Sequence, residues 1–226
     1  MLNFNNVGLP SGYQTFVSRP DLIAPIIDVN GSGTPGLVLF NHFGKDIHQP
    51  ALVISDHNGD IVYINNSLPS PINLDVQTYR EEQYLTFWNG TWEETHGCGI
   101  FYMMDDTLNI VNSVPSRGGG DESVDMHDFT IVDESAVVTF YRPLEMNLTK
   151  WGGPADGYVS SSGFQRIDIK SGEMLFEWDS AEYVSLDDSK RPMGEIVGNG
   201  TYESPWDYFH INSVDVHPID GAWGFC

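Results

Sequence analysis

Basic residues are scarce in this chain: 10 Lys and Arg stand against 32 Asp and Glu, for a formal charge of -22. A surface this negative repels phosphate backbones and anionic headgroups, so nucleic acid and acidic membranes are not expected partners. Cysteine is rarer still. Cys98 and Cys226 are too few for a disulfide scaffold, and spacing alone leaves a bridge between them open. No run of about 18 apolar residues occurs, so no membrane-spanning helix is expected. Also missing are H-E-x-x-H, C-x-x-C, G-x-G-x-x-G, the phosphate loop and G-x-S-x-G, and with them the common signatures of zinc, dinucleotide, nucleotide and acyl-transfer chemistry. Arg117-Gly118-Gly119-Gly120-Asp121 is glycine-rich but lacks the lysine and the strand-to-helix setting of a phosphate loop. Neither a cofactor nor a metal is expected. The first residues have no basic segment followed by an apolar one, and so do not read as a signal peptide.

What the chain has is 12 % aromatics, 23 Gly and 13 Pro in 226 residues, a composition of short strands and many turns. The length suits one all-β domain, with residues 1–20 as an arm or edge segment and 21–226 as the domain proper. Ala51 to Ile64 reads as strand, DHNG turn, strand. Gly99 to Val114, Phe129 to Tyr141 and Phe164 to Trp178 repeat that design, and Ser213 to Gly221 begins another. Their acids Asp56, Asp105, Asp133, Asp168 and Asp215 recur irregularly around the roughly 40–50 residue period of propeller blades. An all-β propeller fits this pattern, and a β-sandwich fits it nearly as well. Only Ser180 to Ser189 shows any helical character.

Five N-x-S/T sequons, at Asn30, Asn65, Asn89, Asn147 and Asn199, exceed the two or three that chance would supply. They point to a secreted glycoprotein. Trp88, Trp92, Trp178 and Trp206 read as packing residues rather than a substrate box.

Histidine carries the candidate chemistry. The stretch Ser204 to Pro218, SPWDYFHINSVDVHP, concentrates aromatic, acidic and imidazole groups. If Phe209 to Val216 is a strand, His210 and Asn212 lie on one face. Thr95-His96-Gly97-Cys98-Gly99 allows close backbone approach to a ligand. In Asp125-Met126-His127-Asp128 the carboxylates can hold an imidazole in one tautomer and raise its pKa. The innermost strands of propeller blades face a common channel, so His96, His127 and His210 are expected to share one pocket. Arg142 is a candidate partner for an anionic substrate.

LTFWNG (85–90), HGCG (96–99), DMHDF (125–129), TFYRP (139–143), FQRIDIKSGEMLFEWDS (164–180) and PWDYFHINSVDVHP (205–218) together resemble the arylsulfotransferase-like propeller proteins, in particular a branch common in fungi. The resemblance runs from about Phe16 to Gly221. It implies a β-propeller related to enzymes that move a sulfuryl group from an aryl sulfate ester to a phenol through channel histidines, one of them transiently sulfated. His127 and His210 match channel histidines and are the implied catalytic residues, stabilising the transferring group; His96, Asn212 and Arg142 are the expected substrate contacts. In that family an Arg-bearing strand and further blades follow the HINS motif, one carrying the nucleophilic histidine. Here Gly221 to Cys226 stands in their place. The expectation is a C-terminally truncated propeller of about four to five blades from a six-bladed ring, with open edges able to self-associate and the covalent machinery outside it. The alternatives are a non-catalytic secreted propeller that binds a small aromatic ligand or a protein, and an enzyme of secondary metabolism on the same fold.

Overall fold

A computed structural model of the chain describes residues 9–31, 33–93, 95–117, 123–194, 196–216 and 222–226. The strands are β1 (Tyr13–Thr15), β2 (Ile23–Pro25), β3 (Leu37–His42), β4 (Ala51–Asp56), β5 (Ile61–Asn65), β6 (Pro71–Tyr79), β7 (Glu82–Glu93), β8 (His96–Met104), β9 (Ile110–Val114), β10 (Phe129–Val132), β11 (Ser135–Met146), β12 (Gly157–Asp168), β13 (Met174–Asp179), β14 (Val214–Val216) and β15 (Trp223–Phe225). A four-residue helix, α1 (Ser180–Tyr183), opens the stretch with helical character. Each sheet is ordered as the chain runs: β1-β2, β3-β4-β5, β6-β7-β8-β9, β10-β11-β12-β13 and β14-β15. A Greek-key sandwich needs strands that skip their neighbours. These sheets contain none, and four strands paired in succession are the unit of a propeller blade.

The chain divides into two compact units, residues 1–75 with 87–89 and residues 76–86 with 90–226. In the first, β4 is flanked by β3 and β5, and Ala51, Leu52, Val53 and Ile54 are all buried. This central strand is covered on both faces, hence its unbroken apolar run.

The hairpin turns show why acids sit where they do. Asp56 Oδ1 accepts from the amides of Asn58 (2.8 Å) and Asp60 (3.0 Å). Asp105 repeats this with Thr107 and Asn109, and Asp168 with Ser171 at 2.6 Å. In each case one carboxylate satisfies amides that the tight turn leaves without ladder partners. Asp215 differs, since it lies within β14 rather than in a turn.

The second unit is built on the long pair β11 and β12, in register from Ser135 opposite Asp168 to Met146 opposite Gly157. β12 is buried along most of its length although it reads GYVSSSGFQRID. Small residues allow this: Ser160, Ser161 and Ser162 leave room for other backbone to lie against the strand, and their hydroxyls and amides hold it there. The amide of Ser160 donates to the carbonyl of Trp206 (2.9 Å), and Ser162 Oγ donates to the carbonyl of Phe209 (2.6 Å). Gly163 is needed for a related reason. A Cβ at that position would run into the Trp178 carbonyl and the Phe140 ring.

One sequence expectation fails in this unit. Only Val214–Val216 of the stretch 209–216 is strand. Residues 209–213 find other partners: Phe209 and Ile211 give their carbonyls to side chains of β12 and β11, and the amides of Asn212 and Ser213 donate to the carbonyl of Cys226. With those groups engaged there is no ladder, and period-two alternation does not apply. Residues 217–221 of the final expected hairpin, and 118–121 of the glycine-rich turn, lie outside the described residues.

Candidate active site

Two residues of β11, Thr139 and Tyr141, organise the histidines. Thr139 holds the segment before β10: its carbonyl accepts from the amide of Asp125 (2.9 Å), and its hydroxyl accepts from the amide of Asp128 while donating to Asp125 Oδ2 (3.0 Å). His127 is thereby fixed beside β11. Tyr141 holds the segment after Trp206, its hydroxyl donating to the carbonyl of Ile211 at 2.8 Å. That fixes His210. His96 arrives on β8, which is tied to the same region because Gly97 donates its amide to Asp125 Oδ1 (2.9 Å) and Gly99 pairs with Val124.

The three imidazoles converge on the Tyr141 ring. His96 stacks on it at 4.7 Å and 15°, His210 lies 5.5 Å from it and His127 lies 6.2 Å from it. His127 and His210 meet edge to face at 4.9 Å. Their side chains are 15 % (His96), 18 % (His127) and 17 % (His210) exposed, enough to meet a ligand while leaving little room for bulk water. The three rings expected in one pocket thus lie close together. The way they are brought together differs from expectation, since His127 and His210 lie on connecting segments and His96 at the first residue of a strand, rather than along the faces of innermost strands.

Each of two histidines is backed by a buried carboxylate. Asp125 Oδ2 lies 2.7 Å from His127 Nδ1, and Asp207 Oδ2 lies 2.8 Å from His210 Nδ1. An ionised carboxylate only accepts, so both Nδ1 atoms carry the proton and Nε2 is left for a ligand. The Tyr141 hydroxyl, which donates to the carbonyl of Ile211, lies 3.0 Å from His210 Nδ1. Burial pushes the Asp125 carboxyl up, but the hydrogen bond and charge of His127 and two backbone amides outweigh it, leaving the pKa below the usual range. For His127 burial opposes the charge, and the hydrogen bond and charge of Asp125 reverse the balance, so its pKa is raised. His96 goes the other way: burial lowers its pKa more than the carboxylates of Asp125 and Glu93 raise it. Burial, reinforced by Asp125 and Asp207, pushes the Tyr141 phenol up and keeps it neutral. One contact ring thus holds a histidine biased toward the cation and another biased toward the neutral form. That is the condition for an acid and a base to work side by side near neutral pH.

Residues 75–222, which include all three histidines, match the family described as Arylsulfotransferase (ASST). The chain belongs to the arylsulfotransferase family. This is a β-propeller family, in agreement with the all-β fold and its blade-like sheets. No curated protein and no solved structure matches the chain.

Within this arylsulfotransferase fold the other expected contacts lie elsewhere. Arg142 follows Tyr141 on β11 and so points to the opposite face. There it pairs with Glu177 at 2.7 Å, approaches Asp179 at 3.8 Å and covers the Phe140 ring. Asn212 is exposed, in the segment where alternation with His210 does not apply. Among the described residues an arginine reaches the histidines through Asp207: Arg191 Nη1 donates to Asp207 Oδ2 at 3.0 Å. It comes from a loop far from any histidine motif, and no local pattern marks it. Tyr141 did lie within a quoted motif, but nothing in TFYRP distinguishes its ring from a packing aromatic. Cys98 and Cys226 are not disulfide-bonded. Among the described residues no helix is long and apolar enough to cross a membrane.

Proposed function

We propose that this arylsulfotransferase-family chain moves a sulfuryl group from an aryl sulfate ester to a phenolic acceptor at the Tyr141-centred histidines. The observation that supports this most is the gathering of three imidazoles on the Tyr141 ring, where burial lowers the pKa of His96 and Asp125 raises that of His127. In the transfer the bond between sulfur and the donor aryl oxygen breaks, its electron pair stays on that oxygen, and the acceptor oxygen forms the new bond to sulfur. Two protons must move: one leaves the acceptor hydroxyl and one reaches the departing phenolate. The His127 imidazolium, held by Asp125, supplies the second and attracts the sulfuryl oxygens. Neutral His96 takes the first. His210, oriented by Asp207 and Arg191, meets the transferring group through Nε2.

The test is nitrophenol release from nitrophenyl sulfate that depends on added phenol, with the sulfated acceptor identified by mass spectrometry. Activity is expected to be bell-shaped in pH. It rises as His96 loses its proton below the ordinary imidazole value, and falls as His127 loses its proton above that value. A folded chain that shows no acceptor-dependent release at any pH sinks the proposal. A second reading has its own support in a cleft of about 380 Å³ walled by Trp151, Trp206, Pro192 and Met193 with Lys190 and Asp187 at hand. Aromatic walls with a few charges suit a ligand-binding propeller. Its signature is tight binding of an aromatic ligand without turnover, unchanged when His127 or His210 is replaced.

Secretion is part of the same proposal. Asn30, Asn147 and Asn199 are exposed, whereas Asn65 and Asn89 are half-buried and the Asn89 side chain accepts the amide of Ser70. Expression through a eukaryotic secretory route is expected to place glycans on the first three. Peptide mapping after deglycosylation reads this directly, and three unmodified sites would refute it.

A further inference from the structure

The hairpin that joins β7 to β8 brings together three side chains of different chemistry. A carboxylate oxygen of Glu93, a ring nitrogen of His96 and the sulfur of Cys98 all lie within 4.8 Å of one another. The strand explains the pairing of the last two: residues 96 and 98 share a face of β8, and Gly97 between them carries no side chain and ties its amide to Asp125. Glu93, at the end of β7, reaches to 3.6 Å from His96 Nε2. The stack on Tyr141 fixes the plane of the imidazole, and its Nε2 is turned toward Glu93. His96 Nδ1 is moreover buried with no hydrogen-bond partner, a cost that native interiors seldom leave uncompensated.

Thiolate, imidazole and carboxylate form the mixed soft and borderline donor set of zinc-class ions, and three protein ligands leave a fourth position open. Calcium and magnesium, which take oxygen ligands, are a poor match for a site with sulfur in it. We propose that Glu93, His96 and Cys98 bind a single divalent zinc-class cation. On binding, the Cys98 thiol gives up its proton to solvent and its sulfur lone pair forms the bond to the metal. No electron transfer is involved. The inference does not depend on sulfuryl transfer, although a metal here engages His96 and is expected to slow any reaction that needs that imidazole as a base.

The chain carries many exposed carboxylates, so bound metal alone proves little. The diagnostic is the sulfur. Titrating the full chain with Co²⁺ should give a near-ultraviolet thiolate-to-cobalt band that saturates at one equivalent and is displaced by Zn²⁺. Cys98→Ser is expected to abolish the band. His96→Ala should weaken cobalt binding at least about tenfold, as should Glu93→Gln, whose exposed position makes misfolding no obstacle. His127→Ala lies outside the three ligands and should keep the band. A measurement on the unaltered chain stands beside these: one equivalent of Zn²⁺ should slow alkylation of Cys98, read by peptide mass spectrometry, while exposed Cys226 serves as the internal control. Binding without the band, or Cys98 alkylation unaffected by Zn²⁺, would overturn the proposal. Either result leaves the transfer assay untouched, so the two readings fail separately.

Discussion

Replacing His127 with alanine is expected to reduce aryl sulfate turnover by about 10²- to 10⁴-fold, the span commonly lost with a general acid. The size of the effect follows from position. His127 is the imidazole whose surroundings favour its charged form, and in the proposed transfer that charge is the one assigned to the departing phenolate and the sulfuryl oxygens. His127→Gln separates the two contributions, since glutamine can donate a hydrogen bond but carries neither the charge nor a transferable proton. It should recover part of substrate binding and little of the rate. The loss should shrink with a donor whose phenol is a better leaving group, because such a phenolate needs less protonation. Turnover of the alanine variant within a few-fold of the parent, measured on protein with an unchanged circular dichroism spectrum, would remove His127 from the mechanism.

Asp125→Ala is expected to be the most damaging single change to stability near the site, at about 3–5 kcal/mol. The carboxylate is buried and accepts from the Gly97 amide, the His127 amide, the His127 ring and the Thr139 hydroxyl. Its removal strands four donors at once, in a place that water cannot readily refill. A urea titration should show the midpoint falling with the slope unchanged; a loss under about 1 kcal/mol would mean that the network relaxes around the gap. The pH dependence has a definite sign. The pKa of Asp125 is lowered in the folded chain, so its contribution is present above the unfolded carboxylate value and disappears as pH falls through the folded one. That of His127 is raised, so its contribution is complete below the unfolded imidazole value and lost as pH rises through the folded one. The pair therefore stabilises most between the ordinary carboxylate and imidazole ranges, and Asp125→Asn should lower that plateau and flatten the falls on its acid and alkaline sides.

Much of this was legible in the sequence because hairpins are local. The DHNG turn at Asp56 and the Lys-Ser-Gly turn after Asp168 announce themselves within a few residues, since the acid and the amides it caps are near neighbours. The gathering of His96, His127 and His210 was expected from blade-like repetition, but the connecting segments that carry His127 and His210 bring it about rather than innermost strand faces. What the sequence did not disclose depends on contacts distant along the chain. The run from Phe209 to Ser213 alternates like a strand, yet Ser162, Tyr141 and Cys226 take its backbone groups first. Arg142 looked like an anion partner because it stands in a motif, but a step of one residue along β11 sends it to Glu177. Arg191 had no motif at all and reaches the site only because Asp207, sixteen positions later, comes back to meet it.

Thr139 and Tyr141 stand two residues apart on one strand, and each anchors a different histidine segment through hydrogen bonds of its own. β11 thus works as a ruler against which His127 and His210 are independently indexed. Loops that carry none of these anchors can therefore change in length, by engineering or by drift, while β11 keeps the spacing of the two imidazoles.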